Sequence, residues 1–239
     1  MTEDEKAFDN LRKYFAYSIY AKPTVENGVV SCTDSIRLKF QSELEKLPVE
    51  FFSIDVGFDV SNSKLKSLEG CPKIVDGYFK AERTNITNLK GAPVTVNASF
   101  TCSNNSQLIS LEGAPKYVGG NFSCDHTNIR NFRGVNMVVD GNFRCINTSI
   151  EEFNAEYLSI KKKLYLTYHE DIHLLGILKI KDLQNVTFIA LDSDTDTSYD
   201  IEHTELTEIL HKYLHTGTRG MLSCAIEMIK AGYGSNAKP

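Results

Sequence analysis

Residues 118–139 read VGGNFSCDHTNIRNFRGVNMVV, and the same pattern recurs on both sides of them. With the chain aligned on Phe58, Phe79, Phe100, Phe122 and Phe143, the steps are 21, 21, 22 and 21 residues. Two positions on stand Val60, Ala81, Cys102, Cys124 and Cys145; further on stand Leu65, Ile86, Leu108, Ile129 and Ile150, then Leu68, Leu89, Leu111, Phe132 and Phe153. Glycine follows in four units (Gly70, Gly91, Gly113, Gly134), proline in three (Pro72, Pro93, Pro115), and each unit closes on Val75, Val96, Val118, Val139 or Ile160. A fixed period near 21 residues predicts a solenoid with one turn of chain per repeat. The expected fold class is α/β: parallel strands stacked along a solenoid, with helical caps at the ends.

Each unit predicts one short strand centred on Phe-x-Cys. Alternation sends Val118, Gly120, Phe122 and Cys124 inward and Asn121, Ser123 and Asp125 outward. The Gly-x-Pro corner turns the chain back, and about ten residues remain for the return, too few for a full helix with its turns, so the outer side should be irregular or 3₁₀.

Outside the repeat, residues 1–57 predict a helical cap and divergent first coils. Thr2 and Glu5 have capping-box spacing, Phe8, Leu11, Phe15 and Ile19 share a helical face, and Pro23 stops the helix. Residues 58–191 form the solenoid, with further coils marked by Leu164-x-Leu166 and by Val186–Ala190. Residues 192–239 predict an acidic loop and two capping helices, one with the stripe Leu206, Ile209, Leu210, Tyr213 and Leu214, the other with Leu222, Ala225, Ile226 and Ile229.

The repeat core Phe122-x-Cys124-x-x-Thr127-x-Ile129-x-x-Phe132 resembles the L-x-[LC]-x-x-N-x-L-x-x-L core of leucine-rich-repeat proteins. The resemblance implies that Ser63, Thr84, Asn105, Thr127 and Thr148 occupy the ladder position, where an inward polar side chain bonds the backbone of neighbouring turns. The period and the Gly-x-Pro corner are closer to short bacterial repeats than to long eukaryotic ones. SLEGCPKIVDG (67–77), SLEGAPKYVGGNFSC (110–124) and the ending ILHKYLHTGTRGMLSCAIEMIKAGYGSNAKP (209–239) are similar to repeat proteins of tailed bacteriophages. That resemblance implies a phage-encoded protein acting in the host cell cytoplasm.

Composition narrows the function. The chain has 239 residues, 41% of them hydrophobic, and a net charge of -5, with a near-neutral middle and acidic ends. No basic field draws it to nucleic acid or anionic lipid, and no apolar run is long enough to span a membrane. The start MTEDEKAFDN lacks the order of a signal peptide.

Candidate chemistry is sparse. Asp192, Asp194 and Asp196 begin like a calcium loop, but Thr197 replaces its glycine and His203 its glutamate, so a solvated acidic linker is expected. His169/His173 and His211/His215 have i,i+4 spacing without a completing ligand set. Cys102, Cys124 and Cys145 stack about 5 Å apart by strand spacing. A packed core is favoured over a disulfide or metal there, because Val60, Ala81 and Leu166 take the same position. No nucleophile elbow, phosphate loop or dinucleotide fingerprint is present. The expectation is therefore no cofactor, no metal and no enzyme.

What remains is surface. The outward row Asp59, Lys80, Thr101, Ser123, Arg144 and Tyr165, and the next row Ser61, Glu82, Ser103, Asp125, Ile146 and Thr167, differ in every unit while the core positions hardly vary. Solenoids bind proteins through such faces. Asp59, Lys80, Glu82, Asp125, Arg144, Ile146 and Tyr165 are the candidate protein-binding residues, with Arg144, Ile146 and Tyr165 as anchors. The expected partner is a host bacterial protein, such as an antiviral defence factor that the phage protein inhibits. A virion or assembly component is the alternative, and homo-oligomerisation is left open.

Overall fold

A computed structural model describes residues 1–17, 20–38, 44–191, 198–201 and 204–238. The chain is a parallel solenoid of 21- to 22-residue coils, mixed α/β, with an N-terminal helix and C-terminal helices. Each coil contributes two strands where the repeat predicts one. The inward run from Val118 to Cys124 bends at Gly119–Asn121 and splits into Tyr117–Val118 and Phe122–Ser123. Stacking therefore builds two sheets: an eight-stranded one through Val75, Val96, Val118, Val139 and Ile160, and a ten-stranded one through the phenylalanines. Among the described residues seven coils carry a strand in each sheet, and Asn185–Leu191 adds a strand to the ten-stranded sheet only. The return side is irregular, as expected, apart from a 3₁₀ turn at Leu175–Lys179.

Register is strict. Phe100 stands opposite Phe79 on one side and Phe122 on the other. The rings stack near-parallel along the axis, with centroids 4.9 Å apart for Phe79–Phe100, 5.1 Å for Phe100–Phe122 and 4.9 Å for Phe122–Phe143. At the N-terminal end Phe15 and Phe51 meet edge to face at 5.1 Å, which continues the aromatic column into the divergent coils. Such pairs add about 0.5–1.5 kcal/mol each beyond the apolar area they bury. One contiguous core runs from Ala7 to Met228.

The ladder residues behave in two ways. Ser63, Thr127 and Thr148 donate to carbonyls three residues back in their own turn (Val60, Cys124, Cys145) at 2.8–3.0 Å. Thr84 and the longer Asn105 span coils and meet each other, Thr84 Oγ1 donating to Asn105 Oδ1 at 2.9 Å. Asn105 Nδ2 donates to Cys102 O of its own turn and Ala81 O of the preceding one, and its Oδ1 accepts from Thr84 N at 2.6 Å. A hydroxyl is too short to do both. His169 at the same position reaches Ile150 O across coils at 2.8 Å. Just before each ladder residue the backbone is left-handed, at Asn62, Arg83, Asn104, His126 and Asn147 (φ 51° to 60°). At the other corner Gly113 has φ 87°, and a Cβ there would fall 2.5 Å from Lys90 N, so glycine is required on both counts.

The caps depart from expectation in three places. Helix α1 covers Glu3–Tyr14, with the Thr2/Glu5 capping box in place. It stops eight residues before the expected end, because Phe15–Tyr17 forms a strand antiparallel to Ile36–Leu38 and closes the sheet edge. Ile19 and the segment 192–197 lie outside the described residues, while Ser198–Ile201 of the expected loop is a strand antiparallel to Phe188–Leu191. Helices α2 (Thr204–Tyr213) and α3 (Met221–Lys230) form as expected. In α2 the stripe Leu206, Ile209, Leu210 and Leu214 is buried. In α3 the predicted stripe faces outward: Leu222, Ile226 and Ile229 are 74%, 44% and 58% exposed, and Cys224 and Met228 pack inward instead. In this rotation Glu227 accepts from Lys212 and from Tyr213 Oη of α2.

The tail beyond α3 returns to the solenoid. Asn236 is fully buried; its Nδ2 donates to the carbonyls of His169, Glu170 and Ile172 at 2.9–3.3 Å, and its Oδ1 accepts from Tyr168 Oη at 3.1 Å. It performs at the C-terminal end what Asn105 performs in the middle.

Two stability outcomes follow. Phe122→Ala should cost about 3–5 kcal/mol in chemical denaturation and Cys124→Ala far less, while Asn236→Ala should cost about 2–3 kcal/mol because it strands buried carbonyls. The second concerns pH. Hydrogen bonds from Lys212 and then Tyr213 hold the Glu227 carboxyl below its usual range, and Lys161 and then Tyr117 do the same for Asp140. A depressed folded value gives stability that is full above the unfolded carboxylate range of about 4 and is lost as pH falls through the folded value. Amide-exchange protection factors in α2 and α3, taken against the intrinsic rate at each pH, should therefore fall below about pH 4, and Glu227→Gln should flatten that dependence.

Candidate functional site

The outward face of the ten-stranded sheet holds the residues singled out by their variation. The two rows differ in depth. A left-handed residue follows the second-row position in five coils and folds the chain over, so Ser61, Glu82, Ser103, Asp125 and Ile146 sit in the elbow of the turn. Ile146 is only 2% exposed. It is therefore not the surface anchor that its place in the row suggests, because the strand ends at Cys145 and alternation ends with it. Asp59 is also nearly buried.

These side chains bond to one another across coils. Asp59 accepts from Arg37 Nε at 3.2 Å and from Ser61 N at 3.0 Å. Ser61 Oγ accepts from Glu82 N at 3.1 Å, and Glu82 Oε1 accepts from Thr101 Oγ1 at 2.9 Å. Ser103 Oγ lies 2.8 Å from Ser123 Oγ and accepts from Asp125 N at 3.1 Å. Asp125 then accepts from Arg144 Nε at 3.0 Å and from Ile146 N at 2.8 Å, and the Arg144 guanidinium lies 5.3 Å over the Tyr165 ring. The result is a polar ribbon running from Arg37 to Tyr165 over seven coils.

The structure brings Glu82, Asp125, Arg144 and Tyr165 into this ribbon and leaves Lys80 at its edge, exposed, with its ammonium 5.2 Å over the Tyr78 ring. Arg37 belongs to the ribbon and was not singled out. Its signal is the register Ile36↔Phe58, which is visible only once the divergent first coil is aligned with the repeat. Most of these groups satisfy partners within the chain. The groups that still offer surface are Lys80, Arg144 and Tyr165, about half-buried or exposed, standing on either side of a shallow stretch of small hydroxyl side chains, Thr101, Ser103 and Ser123.

The other candidates resolve into structural roles. Burial pushes the thiols of Cys102, Cys124 and Cys145 well up, and each sulfur points at a carbonyl of the next coil at 3.3–3.5 Å. A buried, protonated thiol is neither nucleophile nor metal ligand. His211 Nε2 accepts from Val186 N at 3.1 Å and ties α2 to the last parallel strand. Among the described residues no group of three or more His, Cys, Asp or Glu is placed to hold a metal ion, and no helix is long and apolar enough to cross a membrane. Asp192, Asp194 and Asp196 lie outside the described residues. No protein-family model, curated protein or solved structure matches the chain.

The ribbon predicts an asymmetry between its partners. Asp125→Ala should destabilise by about 1–3 kcal/mol, because it strips the N–H of the buried Ile146, and Arg144, of their acceptor. Arg144→Ala should change stability by less than about 1 kcal/mol, because its side chain is partly exposed and the pair is solvent-screened. Urea denaturation of the two variants measures the difference.

Proposed function

We propose that the chain is a non-enzymatic recognition protein, phage-encoded, that binds a host bacterial protein in the host cytoplasm and inhibits it, an antiviral defence factor being the version favoured. The phage assignment rests on the sequence resemblance alone. The observation that carries recognition is the contrast between a core repeated almost unchanged from coil to coil and an outward face whose residues differ in each. A rigid sheet presenting a non-repeating row is a surface on which one partner can be distinguished from another. Lys80, Arg144 and Tyr165 are the residues on which binding should depend. Arg and aromatic side chains dominate binding energy at interfaces, and these are held in place before a partner arrives.

Affinity capture from a bacterial lysate with the full chain, set against capture with an Arg144→Ala/Tyr165→Ala variant of unchanged melting temperature, tests this. One host protein should be retained by the first and depleted about tenfold or more on the second. Equal recovery on both, or recovery of chaperones alone, contradicts the assignment. Co-sedimentation of the chain with purified phage particles moves it to a virion component instead.

A further inference from the structure

The described surface carries a concentration of lysines at the C-terminal end of the eight-stranded sheet. Lys161, Lys162 and Lys163 occupy the corner between Tyr157–Ile160 and Lys163–Thr167, and all three are exposed. The segment 181–184 runs beside this corner. Ile160 N donates to Lys181 O at 2.9 Å, and Gln184 N donates to Lys162 O at 3.0 Å. Lys181 thus stands about one strand spacing, roughly 5 Å, from the triplet. Lys161 pairs with Asp140 at 2.8 Å and Lys179 with Glu156 at 3.7 Å. Lys162, Lys163 and Lys181 have no carboxylate partner among the described residues. In a chain of net charge -5 this corner is locally positive.

Next to it opens a cleft of about 550 Å³ between the turn at 178–182 and the segment 214–218 that links α2 to α3. Leu178, Ile180 and Leu214 form its floor, and Lys179, Lys181 and Thr218 stand at its rim. That volume is within the range that receives a side chain or small ligand, roughly 300–1,000 Å³. Two of its lining groups are carboxylates, Glu156 and Asp182, the latter accepting from Ser159 Oγ at 2.6 Å.

We infer that the cleft and the lysine corner together dock an acidic peptide segment of a partner protein, an apolar side chain entering the cleft and flanking carboxylates meeting Lys162, Lys163 and Lys181. The combination selects this occupant over nucleic acid. A phosphate backbone needs a continuous basic track, whereas here the basic stretch is short and the adjoining cleft has an apolar floor that suits an uncharged side chain. The corner and the cleft use residues other than Lys80, Arg144 and Tyr165, although Tyr165 shares the strand Lys163–Thr167 with Lys163; Lys80 lies four coils away from it along the stack.

Fluorescence anisotropy with the full chain tests it. The probe is a fluorescein-labelled dodecapeptide of aspartate and glutamate with one central leucine. Three comparison probes are used: the same peptide with glycine for leucine, the same with lysine for every acid, and a single-stranded DNA dodecamer. The leucine peptide should bind saturably. Its affinity should fall tenfold or more in a Lys162→Glu/Lys163→Glu/Lys181→Glu variant and in Thr218→Trp, which fills the cleft, and should be unchanged in Lys80→Ala. All the replaced residues are exposed, and melting curves confirm folding. Should a variant melt early, the comparison of the four probes on the unmodified chain still decides. No saturable binding, equal affinity for the leucine and glycine peptides, or tighter binding of the DNA overturns the inference.

Discussion

Every coil of this protein must meet the next at the spacing of hydrogen-bonded strands, about 4.8 Å. That distance is close to the centroid separation of offset-stacked aromatic rings, and the phenylalanine column sits at 4.9–5.1 Å over its central four rings. Backbone pairing and side-chain stacking therefore demand the same geometry. A residue one coil above another inherits its environment, which is why Phe, Cys, Ile or Leu, and Val recur at fixed places. It is also why an inserted residue, as between Phe100 and Phe122, is absorbed on the irregular return and not in a strand.

The same constraint decides which polar groups are tolerated inside. The hydroxyls of Ser63, Thr127 and Thr148 are satisfied by carbonyls of their own turns, so they stabilise a turn without linking coils, whereas Thr84 donates across coils to Asn105. Asn105 has two arms and links three backbone segments. Asn236 repeats the device with a residue from the far C-terminus, so that the tail becomes part of the last turn. On the outward side the ribbon from Arg37 to Tyr165 ties successive coils through side chains. This stiffens the face and leaves few of its residues free to engage a partner.

Much of the fold was legible because a solenoid writes its geometry into a period. The five central units, the inward rows, the capping box at Thr2 and Glu5, and the α2 stripe all follow from spacing. What escaped depends on angles that spacing does not encode. The bend at Gly119–Asn121 makes two sheets of one run. The left-handed row from Asn62 to Asn147 is written in five positions occupied by three residue types, so composition did not mark it. Phe15–Tyr17 continues a helical pattern yet pairs as a strand, because an exposed sheet edge outweighs a weak propensity. In α3 both faces are apolar, so periodicity could not choose between Leu222/Ile226/Ile229 and Cys224/Met228; the face that packs inward is the second, with Glu227 bonded to α2 beside it. For the candidate site, the variable rows were legible, but the burial of Ile146 and Asp59 was not, since depth comes from the turn that follows them.

The central claim is that successive repeats stack linearly, one strand spacing per coil. Lys66, Thr87, Ile109, Arg130 and Glu151 are exposed and equivalent in five successive coils, and the native cysteines are buried. Nitroxide labels on cysteines introduced at Lys66 and Arg130, and then at Lys66 and Glu151, measure the stack directly by double electron–electron resonance. Backbone separations of about 14 Å and 19 Å follow from three and four strand steps, so the mean label distance should lengthen by about 5 Å between the two pairs, each with a single narrow distribution. Equal distances for the two pairs, or a longer distance for the pair nearer in sequence, would contradict the account.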